Sequence, residues 1–140
     1  MNSKFIISLV VAFVIAMGGS FVVHGVILNP EYMKLTSMFR SEADAAGYFP
    51  FMLLAHVFIA AGLVWIYRQG MNDGLWLMQG IRFALAIVCV ATIPMYLIYY
   101  AVQPTPGAVV VKQIIGDAVS LIINGIVIAF INKPAESKAG

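Results

Sequence analysis

Apolar residues in this chain fall into four long runs, residues 5–28, 48–67, 75–101 and 108–131. The first two carry no Asp, Glu, Lys or Arg; the third holds Arg82, and the fourth holds Lys112 and Asp117. About 20 apolar residues cross the roughly 30 Å hydrocarbon layer of a bilayer as a helix. Each run is that long, so the pattern predicts four membrane spans. All four are expected to be helical, because irregular backbone exposed to lipid would leave its polar groups unpaired.

The polar stretches between the runs read as boundaries. Asn29-Pro30-Glu31 ends the first span and offers a new helix start, with Asn as cap, Pro at the first position and Glu in the first turn. Over residues 31–45, Tyr32, Leu35, Met38 and Phe39 share one side, which predicts a short amphipathic helix on the membrane surface. Gly47 ends it and Pro50 opens the second span. Residues 69–74 and 103–107 read as polar and proline-rich turns, and Asn132-Lys133-Pro134 stops the fourth span before a short polar tail. The first run, with Lys4 ahead of it and Gly18, Gly19 and Ser20 inside it, has features of a signal peptide. It continues about ten residues past those small residues, beyond the usual ~7–15-residue apolar core, so a retained span is expected.

Composition agrees with this pattern and excludes other classes. The 140 residues are 62% hydrophobic and 10% charged, with a mean hydropathy of +0.97. A soluble domain carries about 25% charge. The net charge of +2, with no basic stripe, gives no footprint for nucleic acid. Cys89 is the sole cysteine, so an intramolecular disulfide is impossible. The expected fold is therefore all-α: one integral membrane four-helix bundle spanning residues 1–140, with the surface helix between its first two spans.

Charge asymmetry orients the bundle. One side holds Lys4, Arg68, Arg82, Lys133 and Lys138, and the other holds Lys34, Arg40 and Lys112. Both termini are therefore expected in the cytoplasm, with the bacterial inner membrane as the location. Tyr48, Phe49, Phe51, Tyr96, Tyr99 and Tyr100 are expected to form the outer aromatic belt, and Trp65, Tyr67 and Trp76 the inner one. Arg82 is expected to snorkel to the interface, with a lipid phosphate or a partner as the alternative contact.

Candidate chemistry lies in the polar residues inside the spans. Ionisable groups there cost roughly 2.5–3.5 kcal/mol to insert and mark pathways, relays or pairs. His24, His56 and Asp117 qualify, all in the outer half by residue rise. In the fourth span Gln113, Asp117, Ser120 and Asn124 recur at spacings of four, three and four, which is one helical face turned into the bundle. The third span adds Thr92 and Tyr96 around Pro94, which frees the carbonyl of Val90. All these groups are expected to form one polar pocket. His24 and His56 could ligate a haem b iron, with Asp117 orienting a ring. A plainer expectation has His56 bonded to Asp117 or to a backbone carbonyl. Gly116 and Ser120 form a small-xxx-small pair suited to close helix contact. Lys112 lies about 140° around the helix from Asp117 and is a poor partner for it.

No phosphate loop, HExxH, CxxC, GxSxG or carboxylate cluster is present, which argues against an enzyme acting alone. Size and four-span layout are similar to those of small multidrug-resistance transporters, which carry a membrane-embedded glutamate in the first helix; span one here has no acidic residue. The segments Gly47-Tyr48-Phe49-Pro50-Phe51, Gln79-Gly80-Ile81-Arg82-Phe83 and Tyr96-Leu97-Ile98-Tyr99-Tyr100-Ala101-Val102-Gln103-Pro104 resemble the small uncharacterised four-helix bacterial inner-membrane proteins. That resemblance implies no catalytic residues. The leading expectation is a non-enzymatic membrane protein that packs as an accessory subunit of a complex or as a homo-oligomer, in contact with lipid and other subunits or itself. A haem- or quinone-binding electron carrier using His24 and His56, and a proton-coupled transporter using Asp117, are the alternatives.

Overall fold

The computed structural model describes residues 3–134; Lys138 and the polar tail lie outside them. Four helices are long and apolar enough to cross a membrane: α1 (Ser3–Ile27), α4 (Phe49–Gln69), α5 (Trp76–Val102) and α6 (Gly107–Asn132). Their bounds fall within two residues of the apolar runs. Between α1 and α4 the chain forms α2 (Asn29–Tyr32) and α3 (Glu42–Ala46), joined by turns. The single surface helix expected over residues 31–45 is thus divided. Ser41 caps α3 by accepting a bond from the Asp44 N–H at 3.3 Å, which restarts the helix there.

The helices pack in the order α4, α1, α6, α5, so the first and last spans are neighbours. Two glycines let α5 and α6 meet backbone to backbone. A Cβ on Gly80 would lie 2.7 Å from the Gly125 carbonyl oxygen, and one on Gly125 would lie 2.7 Å from that of Gly80. Gly116 fits beneath Val23 and Gly19 beneath Ser120, so the small pair on α6 does face α1. At the end where residues 3 and 134 lie, called here the terminal end, Tyr67 of α4 meets Phe83 of α5 edge-on at 5.4 Å. Ala12, Leu63, Val64, Ile128 and Ala129 fill the core beside them. Tyr67 is 4% exposed, so it is a core residue and not part of an aromatic belt. Burial on α4 begins at His56; its first two turns border a cleft against α1 and the connecting segment.

A polar seam runs the length of the α1–α6 contact. Asn132 donates to Ser8 Oγ at 2.8 Å and accepts from Arg68 at 3.1 Å. Asn124 donates to the Ala12 carbonyl at 3.0 Å. The Lys4 ammonium donates to the Lys133 carbonyl at 2.7 Å and closes the terminal end.

Two spans contain π-helical turns, Phe21–Ile27 in α1 and Val88–Thr92 in α5. Each closes with an N–H bonded five residues back, Leu28 to Val23 and Ile93 to Val88. In α5 the cause is Pro94, which has no N–H for the Val90 carbonyl and whose ring crowds it; the wider turn relieves both problems. Pro94→Ala is expected to return residues 88–92 to the α register. Amide hydrogen exchange should slow across that stretch, and unchanged exchange would count against proline as the cause.

Candidate functional site

The site lies at the other end of the bundle, where α1, α5 and α6 meet under α2. Its first component is His24, carried on the π turn of α1. His24 Nε2 lies 3.1 Å from Asp117 Oδ1 on α6. Tyr96 of α5, one turn beyond Thr92, donates its hydroxyl to Asp117 Oδ2 at 2.5 Å and lies 3.5 Å from His24 Nε2. On the other side of the ring, His24 Nδ1 is 2.7 Å from the Tyr32 hydroxyl, which accepts from Gln113 Nε2 at 3.0 Å. Three spans and the first connection therefore meet in a single network.

The Asp117 carboxylate can only accept, so His24 Nε2–H donates to its Oδ1. The Tyr32 oxygen accepts from Gln113 and keeps a lone pair and its own hydrogen, so it can meet His24 Nδ1 as donor or as acceptor. The carboxylate receives one bond per oxygen, from His24 and Tyr96. Burial pushes the Tyr32 hydroxyl above the usual phenol range; the Gln113 bond works against this, and the charges of Asp117 and Glu31 add to it. Tyr32 consequently stays protonated through the physiological range and can serve as the donor.

The network borders the cleft. This open cleft, of about 990 Å³, is lined by Met17, Phe21 and His24 of α1, Phe49 and Met52 of α4, Tyr32 and Phe39 of the connection, and Gln113 of α6, with Arg40 and Glu42 of the connection also on it. Its walls are apolar and its floor carries hydrogen-bonding groups, as small-ligand sites do. The side chains of His24 and Asp117 remain about one-quarter exposed, at 28% and 24%. Lys112 pairs with Glu31 beside the site and not with Asp117, pinning α2 to α6.

Of the residues expected to converge, His24, Asp117, Gln113 and Tyr96 do. The others lie elsewhere. Thr92 is buried within the π turn and makes no hydrogen bond to Asp117. Ser120 lies one turn along α6 against Gly19, and Asn124 one turn further against Ala12. A stripe of three turns is longer than one pocket, so its lower half serves the helix seam. His56 donates Nδ1–H to its own helix at the Met52 carbonyl, 2.7 Å away, and does not meet His24. An axial histidine pair would need His24 to give up one of its two bonds. Tyr32 is the functional residue that sequence reasoning missed. The helix start at Asn29-Pro30 is legible in the sequence; the bend at Leu28 that brings Tyr32 back over His24 is not.

Comparison with known protein families, with curated proteins and with solved structures gives no match.

Proposed function

We propose that this is a proton-handling membrane protein in which the His24–Asp117 pair takes up and releases a proton as a small amphipathic solute occupies the adjoining cleft. The observation that carries this reading is the continuous bond chain Gln113–Tyr32–His24–Asp117–Tyr96, held between three spans and open to the cleft at His24. Linked His, Asp and Tyr groups inside a membrane are the means by which proton pathways are built. A proton added at His24 Nδ1 turns that nitrogen into a donor. Tyr32 then accepts from it through the second lone pair of its oxygen, and the Tyr32 hydrogen is freed for an acceptor in the cleft that this residue lines. Protonation of the pair thereby resets the hydrogen bonds on the cleft floor, which couples proton and solute.

A second reading, as an accessory subunit or a homo-oligomer, is supported by α4. Its Phe51 and Phe58 are largely exposed, and Gly62 has open space beside it. A partner helix there would wall the open side of the cleft. The Lys/Arg distribution supports cytoplasmic termini, and with them a bacterial inner-membrane location.

The test is infrared difference spectroscopy of protein in phosphatidylcholine nanodiscs between acid and neutral pH. A carboxylate band that shifts between the two pH values, is lost in Asp117→Asn and is displaced in His24→Gln is expected. If the Asp117→Asn difference spectrum matches the wild type, the pair does not titrate and the proton reading is overturned. In proteoliposomes containing a trapped pH dye, Asp117→Asn should return proton entry to the protein-free rate.

A further inference from the structure

A second groove opens at the terminal end, between α4 and α5, with a volume of about 520 Å³. The 70–75 turn forms its roof, and Gln79 holds that turn rigid. Its amide donates to the carbonyls of Asn72 at 2.8 Å and Gly74 at 2.6 Å, while its oxygen accepts from Asn72 N–H at 3.2 Å. Arg82, almost one turn along the same face, lines the groove together with Tyr67 and Asn72.

Among the described residues, three donors there lack an acceptor. Lys4, Arg68 and Lys133 at this end all engage protein groups: the Lys133 carbonyl, Asn132 and the Phe130 ring, respectively. Arg82 has no hydrogen bond, ion pair or ring contact among the described residues. Tyr67 is otherwise buried, yet its hydroxyl has no hydrogen bond among the described residues. Asn72 uses its side-chain oxygen on the Gly74 N–H at 2.8 Å, which leaves its NH₂ available. Among the described residues the terminal end carries four basic side chains against one acidic one, Asp73. An occupant must therefore bring acceptors and negative charge.

Depth identifies the chemistry. Arg82 follows Trp76 by six residues, about 9 Å at ~1.5 Å per residue, and an arginine stem can span most of that to the headgroup layer. The groove reaches the turn residues Gly70 and Gly74 above it, and Ile66 and Met78 line it with exposed apolar surface. An occupant with a charged phosphodiester at the turn and hydrocarbon against those side chains meets both demands. Basic pockets between membrane helices bind such lipids. We infer that the Arg82 groove is a headgroup site for an anionic phospholipid, independent of the His24–Asp117 cleft.

Native mass spectrometry of the full chain, titrated with dioleoylphosphatidylglycerol or dioleoylphosphatidylcholine, tests this. The wild type should retain the anionic lipid several-fold better. Arg82→Gln should lower that retention several-fold, to the level of the neutral lipid, as expected for the loss of charge-assisted bonds. Arg82→Lys keeps the charge and should fall between the two; Tyr67→Phe should weaken retention to a smaller degree. His24→Gln should leave it unchanged, so failure here is separable from failure of the proton reading. The inference is overturned if Arg82→Gln binds phosphatidylglycerol like the wild type. It is also overturned if glycerol 3-phosphate displaces the lipid as effectively as phosphatidylglycerol itself, since the site would then serve a soluble phosphate.

Discussion

Asp117→Leu is expected to destabilise the bundle by roughly 2–4 kcal/mol, measured by reversible unfolding in mixed micelles. The carboxylate is the shared acceptor of two donors, so its removal leaves both short of a partner. The His24 and Asp117 side chains are about one-quarter exposed, which holds the cost to the lower part of the range for two such orphans. The loss comes from what is left behind. His24 Nε2–H and the Tyr96 hydroxyl both donate to Asp117; without it His24 is left only the Tyr96 oxygen at 3.5 Å, and the Tyr96 hydrogen loses its acceptor. Each orphaned donor costs about 1–3 kcal/mol when buried. Asp117→Asn keeps the shape but offers one acceptor oxygen to two donors and should lose roughly half as much. The double-mutant cycle is the sharper measurement. With leucine at 117, Tyr96→Phe removes an orphan hydroxyl, so it should cost about 1–2 kcal/mol less than in the wild type. Additive losses would mean that Tyr96 and Asp117 are not coupled.

Gly125→Leu is expected to prevent α5 and α6 from packing at all. A Cβ at residue 125 would lie 2.7 Å from the Gly80 carbonyl oxygen and 2.9 Å from the Ala84 Cβ. Backbone atoms cannot swing aside as a flexible side chain does, so one helix must move as a body. Even Gly125→Ala should cost about 1–3 kcal/mol, the usual range for overpacking. Gly62→Ala is the control, because nothing lies within 4 Å of a Cβ there. It should be neutral or stabilising by up to about 1 kcal/mol through helix propensity. Equal behaviour of Gly125→Ala and Gly62→Ala would refute the close crossing.

The spans were legible because the bilayer imposes one strong rule, and four uncharged or nearly uncharged runs satisfy it. The inward face of α6 was legible as well: Gln113, Asp117, Ser120 and Asn124 all turn toward α1. Convergence on one pocket was only half legible, because spacing gives the direction of a side chain around the helix and not what faces it at each level. Asn124 and Ser120 meet the backbone and Gly19 of α1, whereas Asp117 meets a histidine. By residue rise His56 shares the depth of Asp117 and His24 lies nearer the surface, so depth favours His56 as the partner of the carboxylate. His56 instead makes a hydrogen bond to its own preceding turn, a local choice that sequence does not announce. The period of its apolar neighbours places Tyr32 on a surface helix. The bend at Leu28 after α1 instead returns it to the bundle, and the π turn that aims His24 leaves no composition signal in that segment.

The contact between α1 and α6 has a further consequence for how the chain is made. Ser8, the Ala12 carbonyl and His24 find their partners at Asn132, Asn124 and Asp117. Those partners leave the ribosome about a hundred residues later. At ~5–20 residues per second, that delay is on the order of ten seconds. Throughout it the first helix must wait in the bilayer with its polar edge unanswered, while the second and third helices are inserted beside it. The last helix therefore acts as a keystone, and a nascent chain stopped before residue 107 should be held open with its first three spans already in place.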